Sequence, residues 1–423
     1  MTEEFLYYIW RFRLFNNCFA NNGELVDIIN VGERNINSGP DFFNAKIKIG
    51  NTIWAGNVEI HINTSDWYKH GHHKDKAYNN IILHVVYNND KIIKRYNNEI
   101  IPTLELKGKF DDKLYFNYEQ FMNSKLWIPC QNQIKEVETL IVKDWLESLL
   151  IERLEKKVKV IEHTLDLCNN SWEQTFYQHL ACNFGFKVNA MAFELLAKSL
   201  PLIYLAKHKN NLFQIEAMLF GQAGLLNKKF KDEYPKKLQY EYIFLKQKFS
   251  LTPVNTNLWK FLRLRPSNFP LIRISQFANL IYKSTHLFSK ITECKKVTEI
   301  SALFNLSCSE YWDTHYIFDK SSVKRKKYIG KNAINTIIIN TIVPFLFLYG
   351  IKKDDEIYKH RALQFLEQLP KENNGTIKKW DSTAIKSYSA ADTQALLELK
   401  NNYCDLKKCL NCRIGNYILR QEK

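Results

Sequence analysis

The sequence predicts a small α/β domain at the N-terminus followed by a larger, mostly α-helical region. Across residues 1–108, short runs of β-branched and aromatic residues alternate with turn-forming segments. From about Asp111 the apolar spacing becomes helical, as at Trp145, Leu149, Leu150 and Leu154 within 142–159. Pro and Gly are sparse in that second region, and Pro201, Pro253, Pro266 and Pro270 fall at helix junctions.

The elements follow in order. Phe5, Tyr8, Ile9, Phe12 and Phe15 have the spacing of an amphipathic helix over 3–15. Asn21, Asn22 and Gly23 end it, and 25–31 reads as a strand. Residues 32–41, GERNINSGPD, are turn chemistry throughout. Strands over 45–49 and 53–62 flank the tight turn Gly50-Asn51. Ser65 suits the N-cap of a helix reaching about Tyr78. A buried strand over 81–87, a hairpin through 91–95 and a last short strand near Leu104 complete the domain. Residues 109–423 read as helical, ending in a Cys-rich tail over about 400–415. Within it, Gly221, Ala223 and Gly224 suit close helix packing, and Arg263, Arg265 and Arg273 offer a basic corner.

A chain of 423 residues that is 45% apolar and 14% aromatic can bury a core, which excludes a disordered protein. Its formal charge of +16 suits a polyanionic partner, because Lys and Arg at phosphates release counterions. The abundance of Asn, Lys and Ile gives the same charge a purely compositional origin. The opening MTEEFLYYIWRFRLF lacks the basic start and unbroken apolar run of a secretory signal. The most apolar stretch, 334–349, is interrupted by Asn335, Asn340 and Pro344 and is shorter than the roughly 20 residues a membrane helix needs. A cytoplasmic protein with no membrane contact is expected.

The chemistry concentrates in the segment from Ser38 to His61. Asp41 sits where a turn enters a strand. Glu59 and His61 are two apart on the next strand, so they share a face. If the two strands pair, all three lie at one end of the sheet. Two carboxylates there make a hard oxygen site for Mg²⁺ or Mn²⁺. Such an ion lowers the pKa of bound water and neutralises charge on a phosphate, while His61 can orient or deprotonate that water. A turn-capping Asp41 and a solvent-facing Glu59 are the structural alternative.

The literal Pro40-Asp41, followed after a strand-length gap by Glu59-Ile60-His61, resembles the PD-(D/E)XK phosphodiesterase superfamily. That superfamily has a helix, three-strand, helix, strand core, the order read above. The resemblance implies that Asp41 and Glu59 bind the metal and that Ile60 adds its main-chain carbonyl. His61 stands where the superfamily has Lys. The resemblance covers about residues 1–106. It implies a metal-dependent nuclease acting on DNA ahead of RNA, or, if the His61 change marks lost hydrolysis, a nucleic-acid-binding scaffold on a decayed nuclease core. The strings GPDFFNAKI, GNVEIHINTSDWYKHGHHKDKAY and IILHVVYNND, with the Cys-rich tail, also resemble a bacterial family without an assigned activity.

Further candidates surround this segment. His70, His72, His84, Lys69 and Arg34 are candidate nucleic-acid contacts. Imidazoles at 70 and 73, or His72 with Asp75, share a helix face, and His61, His70 and His84 offer a zinc site; zinc at His70 or His72 is the mark of a third reading as a zinc-dependent hydrolase. Trp67, Tyr68 and Tyr78 suit base stacking or core packing. Cys404, Cys409 and Cys412 cluster beside Lys407, Lys408 and Arg413, with Cys130 the candidate fourth thiol. Zinc and a [4Fe–4S] cluster both suit four thiolates. Plain reduced cysteines are the alternative.

Overall fold

In the computed structural model, which describes residues 1–284 and 286–421, an N-terminal mixed sheet is followed by a helical region. The chain forms two compact units, 1–145 together with 399–423, and 146–398. The tail therefore belongs with the N-terminal unit, not with the helical region to which its sequence position assigned it.

The first unit opens with α1 (Glu3–Arg11), capped by the Thr2 hydroxyl, which accepts from the Phe5 N–H. Phe5, Leu6, Ile9 and Trp10 are buried, so this helix is anchored by packing. It is shorter than the predicted 3–15, since Arg13 adopts a positive φ of 50°.

The strands are β1 (Val26–Asn30), β2 (Glu33–Arg34), β3 (Phe42–Ile49), β4 (Thr52–Asn63), β5 (Ile81–Asn88) and β6 (Thr103–Glu105). Their order is β1-β3-β4-β5-β6, with β2 paired to β3. β1, β3 and β4 are antiparallel neighbours, whereas β5 lies parallel to β4 and β6 parallel to β5. β5 is buried from Ile81 through Val86, the continuous apolar run expected of a strand covered on both faces.

Residues 65–78 do not form the single helix predicted for them. A short α2 (Asp66–Lys69) ends at Gly71, whose φ of 78° no continuing helix allows, and two 3₁₀ turns follow at His72–Lys74 and Lys76–Asn80. This broken crossover is pinned by Trp67, which is fully buried with Tyr78, Ile81, Ile93 and Ile101. Its indole N–H donates to the Lys94 carbonyl at 3.1 Å. Trp67 and Tyr78 are thus core residues. In place of the predicted 91–95 hairpin there is a single bridge, Lys94 to Ile100.

Residues 112–123 form α3 and 139–167 form α4. In the second unit, Gly221 packs against Tyr242 so closely that a Cβ would lie 2.0 Å from the ring. Arg273 is buried and bonded to Gln276 and Asn268, which removes it from the predicted basic corner. The apolar stretch found in the sequence lies within a helix spanning Lys331–Lys353, long and apolar enough to cross a membrane; 78% of its apolar window is buried inside the protein.

Candidate metal centre

A bulge sets the geometry. Ala45 pairs with Gly56, but Phe42 pairs with Val58, so the register slips by one residue between them. Asn44, with φ 56°, takes up the extra residue, and its N–H donates to Asn57 Oδ1. A one-residue slip exchanges the faces of every following side chain. Asp41 immediately precedes the Phe42–Val58 pair beyond the bulge, and there its N–H reaches the Glu59 carboxylate on the neighbouring strand.

Two hydrogen bonds tie the carboxylates to each other's strands. The Asp41 N–H donates to Glu59 Oε2 at 3.1 Å, and the Ile60 N–H donates to Asp41 Oδ2 at 2.9 Å. The Tyr7 hydroxyl donates to Asp41 Oδ1 at 2.9 Å. Ile60 itself lies between Glu59 and His61 with a fully buried side chain.

Glu59 also faces imidazoles. Its Oε1 lies 3.2 Å from His72 Nε2 and 3.6 Å from His61 Nε2. His61 is a link in a chain of rings, with Nδ1 2.8 Å from His84 Nε2 and Nε2 3.0 Å from His70 Nδ1. One ring nitrogen each from His61, His70 and His72 lie within 4.8 Å of one another, a spacing that suits one metal ion. The third imidazole is therefore His72, one of the expected zinc candidates, in place of the His84 expected to converge with His61 and His70. Gly71 causes this: by ending α2 it turns His72 back toward Glu59, where the ring stacks on Tyr78 at 3.9 Å. His84 is fully buried behind His61, so it orients that ring and is not placed to meet a phosphate.

Burial dominates the electrostatics. It raises Glu59 to about 8 and Asp41 to about 6, with the Glu59 charge adding to the shift at Asp41. Burial and the neighbouring His72 and His70 lower His61 to about 3, and burial lowers His72 and His84 as well. Among the described residues, neither carboxylate is ion-paired with Lys or Arg. The centre thus gathers acids and neutral imidazoles that a cation would satisfy together. His72 Nε2, though buried and close to Glu59, has no aligned hydrogen-bond partner, and neither has His84 Nδ1.

Two residues at this centre escaped the sequence reading. Tyr7 bonds Asp41, and Glu3 is raised by burial and by Asp41. They are four apart on α1 and so share a helix face, a signal the strong apolar stripe of that helix obscured. Arg34 is exposed and lies over the Tyr7 ring at 5.0 Å, while Lys69 is exposed and paired with Asp66 at 2.6 Å.

A model of the DUF2851 family, described as a protein of unknown function, matches residues 3–375. The chain belongs to this family. The matched residues include the whole metal centre and Cys130, while Cys404, Cys409 and Cys412 lie beyond them. No curated protein and no solved structure matches the chain.

Proposed function

We propose that this DUF2851 protein is a metal-dependent phosphodiesterase acting on nucleic acid, with its reaction centre at Asp41, Glu59 and His61. The observation that carries the reading is the buried Glu59 carboxylate and the half-buried Asp41 carboxylate, bonded across two strands and faced by an imidazole nitrogen without an aligned partner. Buried acids without a cation are costly, which favours a bound one.

Asp41 and Glu59 would hold the ion, with the Ile60 carbonyl between the motif positions as the third donor. A bound Mg²⁺ or Mn²⁺ supplies charge neutralisation at a phosphate and a water of lowered pKa. His61, neutral at physiological pH, would accept the water proton, and its contact with His84 fixes the ring. Tyr7 would hold Asp41 in place from α1. The net charge of +16 provides attraction for DNA or RNA. Support for a PD-(D/E)XK-like core comes from the order of α1, three antiparallel strands, a crossover, and a parallel β5 beside β4. A cytoplasmic setting fits the nine free cysteines.

A second reading has an observation of its own. The convergence of His61, His70 and His72 adds nitrogen donors that Mg²⁺ disfavours and Zn²⁺ accepts, which favours a zinc-dependent hydrolase. One screen separates the two. Purified protein is assayed on single- and double-stranded DNA and RNA with Mg²⁺, Mn²⁺ or Zn²⁺, beside Asp41→Ala and His70→Ala. Cleavage with Mg²⁺ or Mn²⁺ that Asp41→Ala abolishes and His70→Ala spares supports the nuclease. Zinc-dependent hydrolysis lost in His70→Ala supports the second reading. No cleavage, with nucleic-acid binding indifferent to EDTA, returns the protein to a scaffold on a decayed core.

A further inference from the structure

The C-terminal segment closes onto α1. In the terminal helix Arg413–Arg420, the side chains of Ile414, Ile418 and Leu419 are buried, and Arg413, Tyr417 and Arg420 form the outer stripe at i, i+4 and i+7. Gly415 lets this helix sit close, since a Cβ there would lie 2.4 Å from the Cys409 carbonyl oxygen. At the end of α1, Tyr8, Arg11 and Phe12 share a face in the same way. The two stripes meet: Arg420 Nε donates to the Tyr8 hydroxyl at 3.2 Å, and its guanidinium lies 4.2 Å from the centre of the Phe12 ring. Beside them is a hollow of about 660 Å³, with Arg11, Phe12, Trp145, Arg413, Tyr417 and Arg420 in its wall. A smaller hollow with Tyr7 and Arg34 in its wall shares Arg11, Phe12, Leu410 and Asn411 with the first, so the two adjoin along α1. All these residues belong to the first compact unit. The smaller hollow ends at Tyr7, whose hydroxyl donates to Asp41.

Every cation of this groove is laid on a ring. Arg34 lies over Tyr7 at 5.0 Å, Arg11 over Phe12 at 5.4 Å and Arg413 over Trp145 at 5.6 Å. A guanidinium held by its face keeps its in-plane N–H groups for an acceptor. Arg413 is paired with Asp144. Among the described residues, Arg11, Arg34 and Arg420 have no carboxylate partner, although Glu4 lines the smaller hollow and Glu138 accepts from the Tyr417 hydroxyl at 3.2 Å. All four arginines are exposed. Planar cations spaced along a groove and interleaved with rings suit a polymer that alternates phosphates with flat bases.

We infer that this groove between α1 and the terminal helix binds a single strand of nucleic acid, with phosphates on Arg11, Arg34, Arg413 and Arg420 and bases stacked on the guanidinium planes and on Tyr417. A hollow of this size encloses a ligand of a few nucleotides, so it takes one strand and not a paired duplex. Through Tyr7 the strand would run on to Asp41. That last step rests on the phosphodiesterase reading; the binding does not, because it needs no metal ion.

The test uses the full chain in EDTA. Fluorescence anisotropy follows binding to labelled single strands of DNA and RNA of about 16 nucleotides, to the matching duplexes, and to vesicles of phosphatidylserine and phosphatidylcholine. Arg11→Gln and Arg34→Gln each remove an exposed cation without a carboxylate partner, and thermal unfolding checks that the fold survives. Lys46→Gln, exposed on β3 and outside the groove, is the control of equal charge. A single strand should bind more tightly than the duplex. Four phosphate contacts at about 0.7 each give a log–log salt slope of roughly −3, a loss of roughly fiftyfold between about 50 mM and about 200 mM salt. Each groove variant should lower that slope by about 0.7 and weaken binding, and Lys46→Gln should do neither. No binding by wild type, a duplex bound as tightly as the single strand, groove variants no weaker than Lys46→Gln, or vesicle binding with the same dependence on Arg11 would each overturn the proposal. The expected binding without metal-dependent cleavage refutes the phosphodiesterase reading and leaves the groove standing. Cleavage whose KM is unchanged in both groove variants refutes the groove alone.

Discussion

Replacing Glu59 by Gln separates what the proposed metal centre does for stability from what it does for binding. Glu59 is 4% exposed and its pKa is raised from 4.5 to about 8 by burial. A raised carboxyl keeps its proton in the native state after the unfolded chain has lost it. Stability therefore falls as pH rises from about 4.5 to about 8, with the full penalty absent below that window. At pH 7 the difference spans about 2.5 pH units, roughly 3 kcal/mol, as a ceiling. Gln keeps the shape, accepts the Asp41 N–H and offers an amide N–H to His72, so little is lost in exchange. Metal-free Glu59→Gln in EDTA should thus be more stable than wild type by about 1–3 kcal/mol at pH 7, and nearly equal at pH 4.5. Adding Mn²⁺ offsets that advantage: at a hundredfold excess over its dissociation constant the ion stabilises wild type by about 2.7 kcal/mol and leaves the variant little changed. Urea unfolding followed by tryptophan fluorescence, at both pH values with EDTA and with Mn²⁺, reads all of this. A variant less stable than wild type in EDTA at pH 7, or an undiminished Mn²⁺ effect, would refute the reasoning.

Three further outcomes are expected. Gly71→Ala forces a side chain into φ +78° with open space around it, so it should cost about 1 kcal/mol of strain and, by shifting His72, weaken metal affinity measured by calorimetry. Gly221→Ala drives a methyl into the Tyr242 ring and should lower stability by about 1–3 kcal/mol in thermal unfolding. Lys157, bonded to Asn340 and Gln394, is lowered by burial from 10.5 to about 7, although part of its stem reaches solvent. Here the unfolded chain holds a proton the native state lacks, so stability should rise between pH 7 and 9 by up to about 2 kcal/mol, a slope that Lys157→Met removes.

The strands of the first unit were legible because β-branched runs and Gly-Asn turns speak locally, and the pairing of β3 with β4 followed from the tight turn. The face shared by Glu59 and His61 followed from strand periodicity alone. What places Asp41 on it is the bulge at Asn44, and nothing in the run FFNAKIKI announces an extra residue. The crossover was misread for a related reason. Ser65 looked like the cap of a long helix, and the flanking His, Lys and Tyr residues are compatible with one, but Gly71 takes a left-handed conformation that ends it. Hence His70 and His72, not His70 and His73, share the site. The return of the tail to the first unit is a long-range fact that local sequence pattern does not announce.

On the proposed reading, the arrangement around His61 gives a physical account of how a histidine would serve where the resembling superfamily has a lysine. His61 is 2% exposed and meets His70 and His84 through its two ring nitrogens. A lysine there would carry its charge into a position that is 2% exposed, and burying an ammonium is costly. A neutral imidazole accepts at one nitrogen and donates at the other, so His61 links His70 to His84 through its two ring nitrogens. The cost of the arrangement is visible in the same geometry: His84 Nδ1 has no partner, and the imidazoles lack the positive charge that would balance Asp41 and Glu59. A lysine supplies that charge itself; a histidine leaves it to the metal. The His61 variant should for that reason depend more steeply on ion concentration than His61→Lys does, and a comparison of the two across a Mn²⁺ titration of cleavage would reverse this account if the lysine variant required the higher concentration.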